Sequence, residues 1–207
     1  LHRGRIILAD EQCRPTLPSP QQFGYRHRIR LHVDAEGRVG FHQATSNAVV
    51  PIRRCLLATE AINGVLEALI DAELNESFQG SIAGIELLHS PADDRIFLLL
   101  HPAAEAKPAQ LAPLPALLAP LADVVLVAAQ RGRKQQPQPE AILCQQFSLF
   151  EHHYQLNWEV GCFFQVNVQQ NLQLIATALQ DLDIPAPCIA LDLFCGMGNF
   201  SIPLALR

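Results

Sequence analysis

Apolar and polar residues alternate from Arg26 to Val33, with Ile29, Leu31 and Val33 on one side and Arg26, Arg28, Arg30 and His32 on the other. A period of two marks a half-buried strand. His27 interrupts the apolar row at its edge. Gly37 marks a turn, Val39–His42 reads as the return strand, and Ala48–Ile52 as a third. The period then changes. Ile62, Val65, Leu66, Leu69 and Ile70 fall on one helical face and predict a helix over Ala58–Leu74. Strands follow at Ile82–His89 and Arg95–His101, and a helix over Ala106–Leu121 interrupted at Pro113 and Pro115. Val124–Ala129 predicts a short buried strand, residues 130–140 a polar mobile loop, and Ala141–Phe150 and Gln155–Val160 two more strands.

Near residue 161 the grammar changes again. Asn167–Leu182 is patterned as an amphipathic helix, Ile189–Phe194 as a continuous apolar strand, Cys195–Asn199 as a glycine turn and Phe200–Leu206 as the start of a helix. Helix, buried strand, glycine turn and helix together open a doubly wound α/β fold. The expected class is α/β: an α+β central domain followed by the truncated start of a Rossmann-like fold. The expected division is a loop-rich segment over 1–22, a central domain over 23–160 and the incomplete Rossmann-like start over 161–207. The first residue is Leu1 and the single Met is Met197, so an excised piece of a longer protein is expected.

Composition narrows the function classes. Of 207 residues, 49% are hydrophobic and 17% charged, which excludes disorder as the dominant state. No apolar run reaches the roughly 18–20 residues of a membrane span. The longest candidate, Leu111–Ala129, is broken by Pro113, Pro115, Pro120 and Asp123. The net charge of −5 excludes a globally basic nucleic-acid binder but leaves room for a basic face. Six cysteines without a C-x-x-C pair favour reduced thiols and a cytoplasmic setting. Cys144, Cys162 and Cys188 are expected in the core. The eight histidines form no pair with zinc-site spacing.

The candidate chemistry sits in Leu-Asp-Leu-Phe-Cys-Gly-Met-Gly-Asn-Phe at 191–200. Glycines after a buried strand let a ligand approach the backbone at the carboxyl end of a sheet. A dinucleotide fingerprint needs a third small residue where Ser201 stands, and Phe200 crowds the helix start. S-adenosylmethionine, which brings no pyrophosphate, fits more easily; a tight turn with no ligand is the alternative. Asp192, the one charge in the expected strand, is read as accepting backbone N–H groups beneath the turn, in a structural role or in an indirect cofactor role.

Phe-Phe-Gln-Val-Asn at 163–167 followed by the 191–200 segment resembles the RNA uracil-5-methyltransferase family. The likeness extends to Phe-Gly-Tyr-Arg-His-Arg at 23–28, Val-Gly-Phe-His-Gln at 39–43 and Val-Pro-Ile-Arg-Arg-Cys at 50–55. It implies an S-adenosylmethionine-dependent enzyme that methylates carbon 5 of a uridine, in ribosomal RNA more readily than in transfer RNA. It also implies a Rossmann-like methyltransferase domain of which this chain carries the start. By the same resemblance Gln165, Phe194, Gly196, Gly198 and Asn199 are cofactor contacts, and Phe163 lies beside an extruded base. Gln165 as a buried amide capping the next helix, and Phe163 as a plain core residue, are the competing readings. Arg26, Arg28 and Arg30 are candidate RNA contacts, with Arg53 and Arg54 placed nearby and Arg131, Arg133 and Lys134 as a second basic cluster. A solvated strand face and a solubilising loop are their alternatives.

In the family a cysteine thiolate adds to carbon 6 of the uracil, and a carboxylate later removes the carbon-5 proton. The resemblance places both groups past residue 207, so the chain alone is expected to be inactive. Cys195 is assigned an inert turn role. Cys55 falls where one branch of the family has a ligand of a [4Fe–4S] cluster, and one thiolate cannot hold a cluster. The expected partner is RNA, with no membrane and no DNA. A non-catalytic RNA-binding module with a degenerate Rossmann segment is the alternative function. An oxidoreductase fragment is disfavoured by the glycine pattern.

Overall fold

The structure is a computed structural model that describes residues 13, 15–128, 141–180, 182, 185 and 188–207. Its organising element is a six-stranded sheet in the order β3-β2-β1-β4-β5-β6. The strands are β1 (Arg28–Val33), β2 (Val39–His42), β3 (Val49–Pro51), β4 (Ile82–Ser90), β5 (Arg95–Pro102) and β6 (Val124–Val127). All neighbours are antiparallel except β5 and β6, which run parallel with Phe97 opposite Val124. A parallel pair needs a crossover. The 106–121 stretch supplies it as two short helices, α3 (Pro108–Leu111) and α4 (Leu114–Leu118), divided where Pro113 stands. Asp123 fixes the start of the parallel pairing by accepting the Ile96 N–H at 2.7 Å.

Alternation in β1 is realised: Ile29 and Leu31 are buried, whereas Arg30 is exposed. β4 and β5 have no polar side to read because both faces are covered. On one face Ile85, Leu87, Ile96, Leu98 and Leu100 pack against Ile62, Leu66 and Leu69 of α1 (Glu60–Asp71) and against Leu114 and Leu118. On the other face Leu88, Phe97, Leu99 and Leu126 pack against Leu143, Phe147, Leu156 and Trp158. These last four belong to a separate antiparallel ribbon, β7 (Ile142–Leu149) and β8 (His152–Glu159). The layers are therefore helices, six-stranded sheet and two-stranded ribbon.

α1 begins at Thr59, whose hydroxyl accepts the Ile62 N–H at 3.4 Å. This supplies an acceptor to the unpaired first turn. A short helix, α2 (Asn75–Phe78), follows α1 and buries Phe78. α5 (Val168–Gln180) lays Ile175 and Leu179 against Leu149, with Phe200 and Leu204 beside them. Leu204 belongs to the last helix, α6 (Ser201–Leu206).

Three expectations need correction. β8 starts at His152 rather than Gln155, because Phe150 adopts a left-handed φ of 55° and closes a tight turn. Ile189–Phe194 forms no strand. No described strand pairs with it, and Ile189, Leu191, Leu193 and Phe194 are exposed rather than buried. A strand exists through its hydrogen-bonded neighbours, which apolar patterning does not supply. Cys162 and Cys188 are exposed rather than core residues, Cys162 in the turn after β8 and Cys188 in irregular backbone. The 130–140 loop lies outside the described residues.

Candidate functional site

Three residues of the glycine turn have left-handed backbone: Phe194 at φ 63°, Gly196 at 56° and Gly198 at 86°. Gly198 is required twice over. An L side chain is strained at that φ, and a Cβ would stand 3.0 Å from the Ile202 Cγ1. Gly196 has open space, with nothing within 4 Å of a Cβ built on it. The turn is closed by the Gly198 N–H donating to the Cys195 carbonyl at 2.9 Å. It is tied to α5 by a reciprocal amide pair: Asn171 Nδ2 donates to Asn199 Oδ1 at 2.8 Å, and Asn199 Nδ2 to Asn171 Oδ1 at 3.0 Å. Asp192 accepts the Ser201 hydroxyl at 2.6 Å. That replaces the expected backbone donors, because Asp192 lies in irregular chain and is only half-buried.

A cavity of about 610 Å³ lies beside this turn, lined among others by Pro185, Cys188, Asp192, Cys195, Ser201 and Arg207. None of Gln165, Phe194, Gly196, Gly198 and Asn199 lines it. Asp192 and Cys195 place it beside the turn, but its size alone does not mark the site.

The 163–167 segment divides its side chains sharply. Phe163 is 77% exposed, whereas Phe164 is buried against Trp158 with ring centroids 5.0 Å apart. The core phenylalanine is therefore Phe164, not Phe163. Gln165 is exposed and does not cap the next helix. Asn167 does so, its Oδ1 accepting the Gln170 N–H at 3.0 Å. The segment and the residue before it are joined to the start of β1 and the residue before that. The His27 N–H donates to the Val166 carbonyl at 3.2 Å, and Arg28 Nη1 donates to the Cys162 carbonyl at 3.2 Å.

The arginines of β1 are not equivalent. Arg28 Nε lies 2.5 Å from Glu86 Oε1, and its guanidinium stands 5.8 Å from the Phe164 ring centroid. Glu86 is buried, and His101 Nε2 approaches its other oxygen at 3.5 Å, long for a hydrogen bond. Burial raises the Glu86 carboxyl, but His101 and Arg28 outweigh it and hold the group below its ordinary range. Arg26 and Arg30 are exposed and form no ion pair among the described residues. Arg53 and Arg54 pair with Asp71, Glu60 and Glu67 of α1. They are thus drawn into the helix layer. Arg131, Arg133 and Lys134 lie outside the described residues.

The cysteines are all free thiols. Cys55 packs against the helix-side core, and its backbone N–H donates to Asn63 Oδ1 at 2.9 Å. Among the described residues no three His, Cys, Asp or Glu side chains gather as a metal site. Cys55 alone does not fit a cluster held by these residues. Sequence reasoning passed over Glu86 and Asn171, which organise the site from beneath. Glu86 carried a visible signal, as the single carboxylate in the otherwise apolar run 82–88.

A sheet-centred α/β domain thus leads into a glycine turn tied to a helix. The sequence model of the tRNA (Uracil-5-)-methyltransferase family matches residues 15–207, and the chain belongs to this family. It is 32% identical over 193 residues to the 23S rRNA (uracil(1939)-C(5))-methyltransferase RlmD of Haemophilus parainfluenzae, covering 90% of this chain and 42% of that protein. To the RlmD of Pseudomonas aeruginosa it is 34% identical over 214 residues, covering 100% of this chain and 45% of that protein. The chain thus spans less than half the length of these curated relatives. A crystal structure of the Pyrococcus abyssi tRNA (uracil-54, C5)-methyltransferase with S-adenosyl-L-homocysteine superposes with a TM-score of 0.65 at 20% identity. That match covers 92% of this chain and 49% of that one, and establishes a shared fold.

Proposed function

We propose that the chain is part of an S-adenosylmethionine-dependent enzyme that methylates carbon 5 of a uridine in RNA, with ribosomal RNA the favoured substrate. The observation that carries this reading is the left-handed turn at 194–198, joined through Asn199 and Asn171 to the helix that follows the exposed Gln165. Bound there, the cofactor supplies an electrophilic methyl group on a sulfonium. The charge of the site suits it. Asp192 holds a carboxylate at the start of α6, where a dinucleotide would bring its pyrophosphate. Like charges oppose that ligand and favour a cationic one.

In this reading Gln165, Phe194, Gly196, Gly198 and Asn199 contact the cofactor. Phe163 offers an exposed ring to an extruded base. Arg26 and Arg30 contact phosphates in a sequence-independent way, while Arg28, committed to Glu86, holds the 161–165 loop in place. Cys195 stays inert, and the chain by itself transfers no methyl group. The setting is cytoplasmic; no helix among the described residues is long and apolar enough to cross a membrane. The two curated relatives are named for 23S rRNA and the solved one for tRNA, and the higher identities to the 23S rRNA enzymes support ribosomal RNA.

The reading is tested by calorimetric titration of S-adenosylmethionine and of an oxidised dinucleotide into the protein completed to its relatives' length. Saturable binding of the first alone, weakened at least tenfold by Gln165→Ala, is expected. Dinucleotide binding in its place refutes the proposal.

A further inference from the structure

The ribbon covers only part of its face of the six-stranded sheet. Its apolar contacts are with β4, β5 and β6, and no apolar residue of β1, β2 or β3 takes part. Beyond those contacts, on the same face, the register sets Arg30 beside Glu86 and runs Gly40, His32, Gly84, His101 across the strands; Arg30 and His42 are exposed, whereas Gly40, Gly84 and Glu86 are buried. His32 and His42 stack with ring centroids 3.5 Å apart and planes 16° from parallel. Gly40 and Gly84 flank His32 on the neighbouring strands. At each, a Cβ would meet backbone, at 2.0 Å from the Val50 oxygen and 2.9 Å from the Leu31 oxygen. A side chain is thus excluded at both positions beside His32.

The charge around them is equally selective. Arg28, Arg38, Arg53, Arg54 and Arg95 each face an acidic partner. Arg30 of β1 and Arg26 just before it form no ion pair among the described residues. In a chain of net charge −5, these cations attract an anion to this face. A flat sheet face with planar side chains and unneutralised arginines suits unpaired nucleotides, whose bases stack while their phosphates track the cations. A protein partner would instead call for an apolar centre, and Glu86, the carboxylate beside Arg30, is buried and paired with Arg28.

We propose that the open face of β1 and β2, built on the stacked His32 and His42 and on Arg30, binds unpaired RNA nucleotides flanking the one that is modified. From Arg28 to His32 the strand advances about 13 Å at roughly 3.3 Å per residue. Arg28 is bonded to the loop carrying Phe163, so the platform continues into the candidate base site. The proposal deepens the RNA-modifying reading and rests on it.

The test is fluorescence anisotropy of a labelled single-stranded oligouridylate titrated with the 207-residue chain at low and moderate salt. Stacking of one base, about 1–3 kcal/mol, converts to about a 5- to 140-fold change in Kd. A loss in that range is expected for the joint change His32→Ala and His42→Ala, with the salt dependence kept. His32→Tyr with His42→Tyr retains planar rings and is expected to restore binding. Arg30→Ala is expected to weaken binding and reduce the salt dependence, whereas Arg53→Ala, whose partner is Asp71, leaves both unchanged. Absence of oligouridylate binding, alanine variants that bind normally, or duplex RNA bound as tightly as single strands overturns the proposal. Unaltered alanine variants, with S-adenosylmethionine still bound by the longer protein, overturn the platform alone.

Discussion

Replacing Arg28 by Met should invert the pH dependence of one buried carboxylate. Met keeps an apolar stem against Phe164 but removes the guanidinium 2.5 Å from Glu86 Oε1. The Glu86 side chain is only 3% exposed and that of Arg28 is 23% exposed. Breaking a fully buried pair costs about 3–5 kcal/mol; water reaching Arg28 lowers the expected loss to about 2–3 kcal/mol near neutral pH. In the wild type the Glu86 carboxyl lies below its ordinary value of 4.5. Its contribution is present above that pH and lost as pH falls through the lowered value. In Arg28→Met burial, the largest influence on this group, is opposed by His101 alone. The folded carboxyl then rises above its unfolded value, and stability declines as pH climbs from there. Urea unfolding of both proteins at about pH 4 and about pH 7 should give a small gap at the lower pH and the full gap at the higher. Adding Glu86→Gln to Arg28→Met should recover most of the loss. An equal gap at both pH values, or one below about 0.5 kcal/mol at neutral pH, refutes the reasoning.

Other expectations follow from single contacts. His27 is shifted down, chiefly by burial and then by His89, with the Val166 and Tyr25 carbonyls pulling the other way. Stability should fall as pH drops below about 6.5, and His27→Gln should flatten that slope in urea titrations. Gly198→Ala, at φ 86° and with a Cβ 3.0 Å from Ile202, should cost about 1–3 kcal/mol, more than Gly196→Ala, which meets no atom within 4 Å. Their urea midpoints give the order. Asn171→Ala strands the Asn199 amide and should cost about 1–2 kcal/mol, with faster hydrogen exchange in α6.

Periodicity found the elements whose stability is local or one-faced. β1 with its exposed Arg30, and α1 with its apolar row of Ile62, Leu66 and Leu69, were legible because one side of each meets water. Where both faces are covered, as in β4 and β5, the pattern marked the strands but not what covers them. The helices and the ribbon therefore had to be seen in place. The segment 189–194 misled because hydrophobicity reports burial in a paired state, while pairing needs a neighbouring strand that the described residues lack. In the candidate site, glycine spacing located the turn, but not its tether. Asn171 lies 28 residues before Asn199, a separation that no local motif spans. The basic row was equally legible, yet its division into a committed Arg28 and an Arg26 and Arg30 without ion pairs among the described residues depended on Glu86 arriving from β4.

The most direct test is methyl transfer by the protein completed to the length of its relatives. Unmodified ribosomal RNA would be incubated with S-adenosylmethionine, digested to nucleosides and resolved by mass spectrometry. The account predicts 5-methyluridine, with no product from the 207-residue chain alone. Methylation of a ring nitrogen or a ribose, or turnover by the short chain, would contradict it.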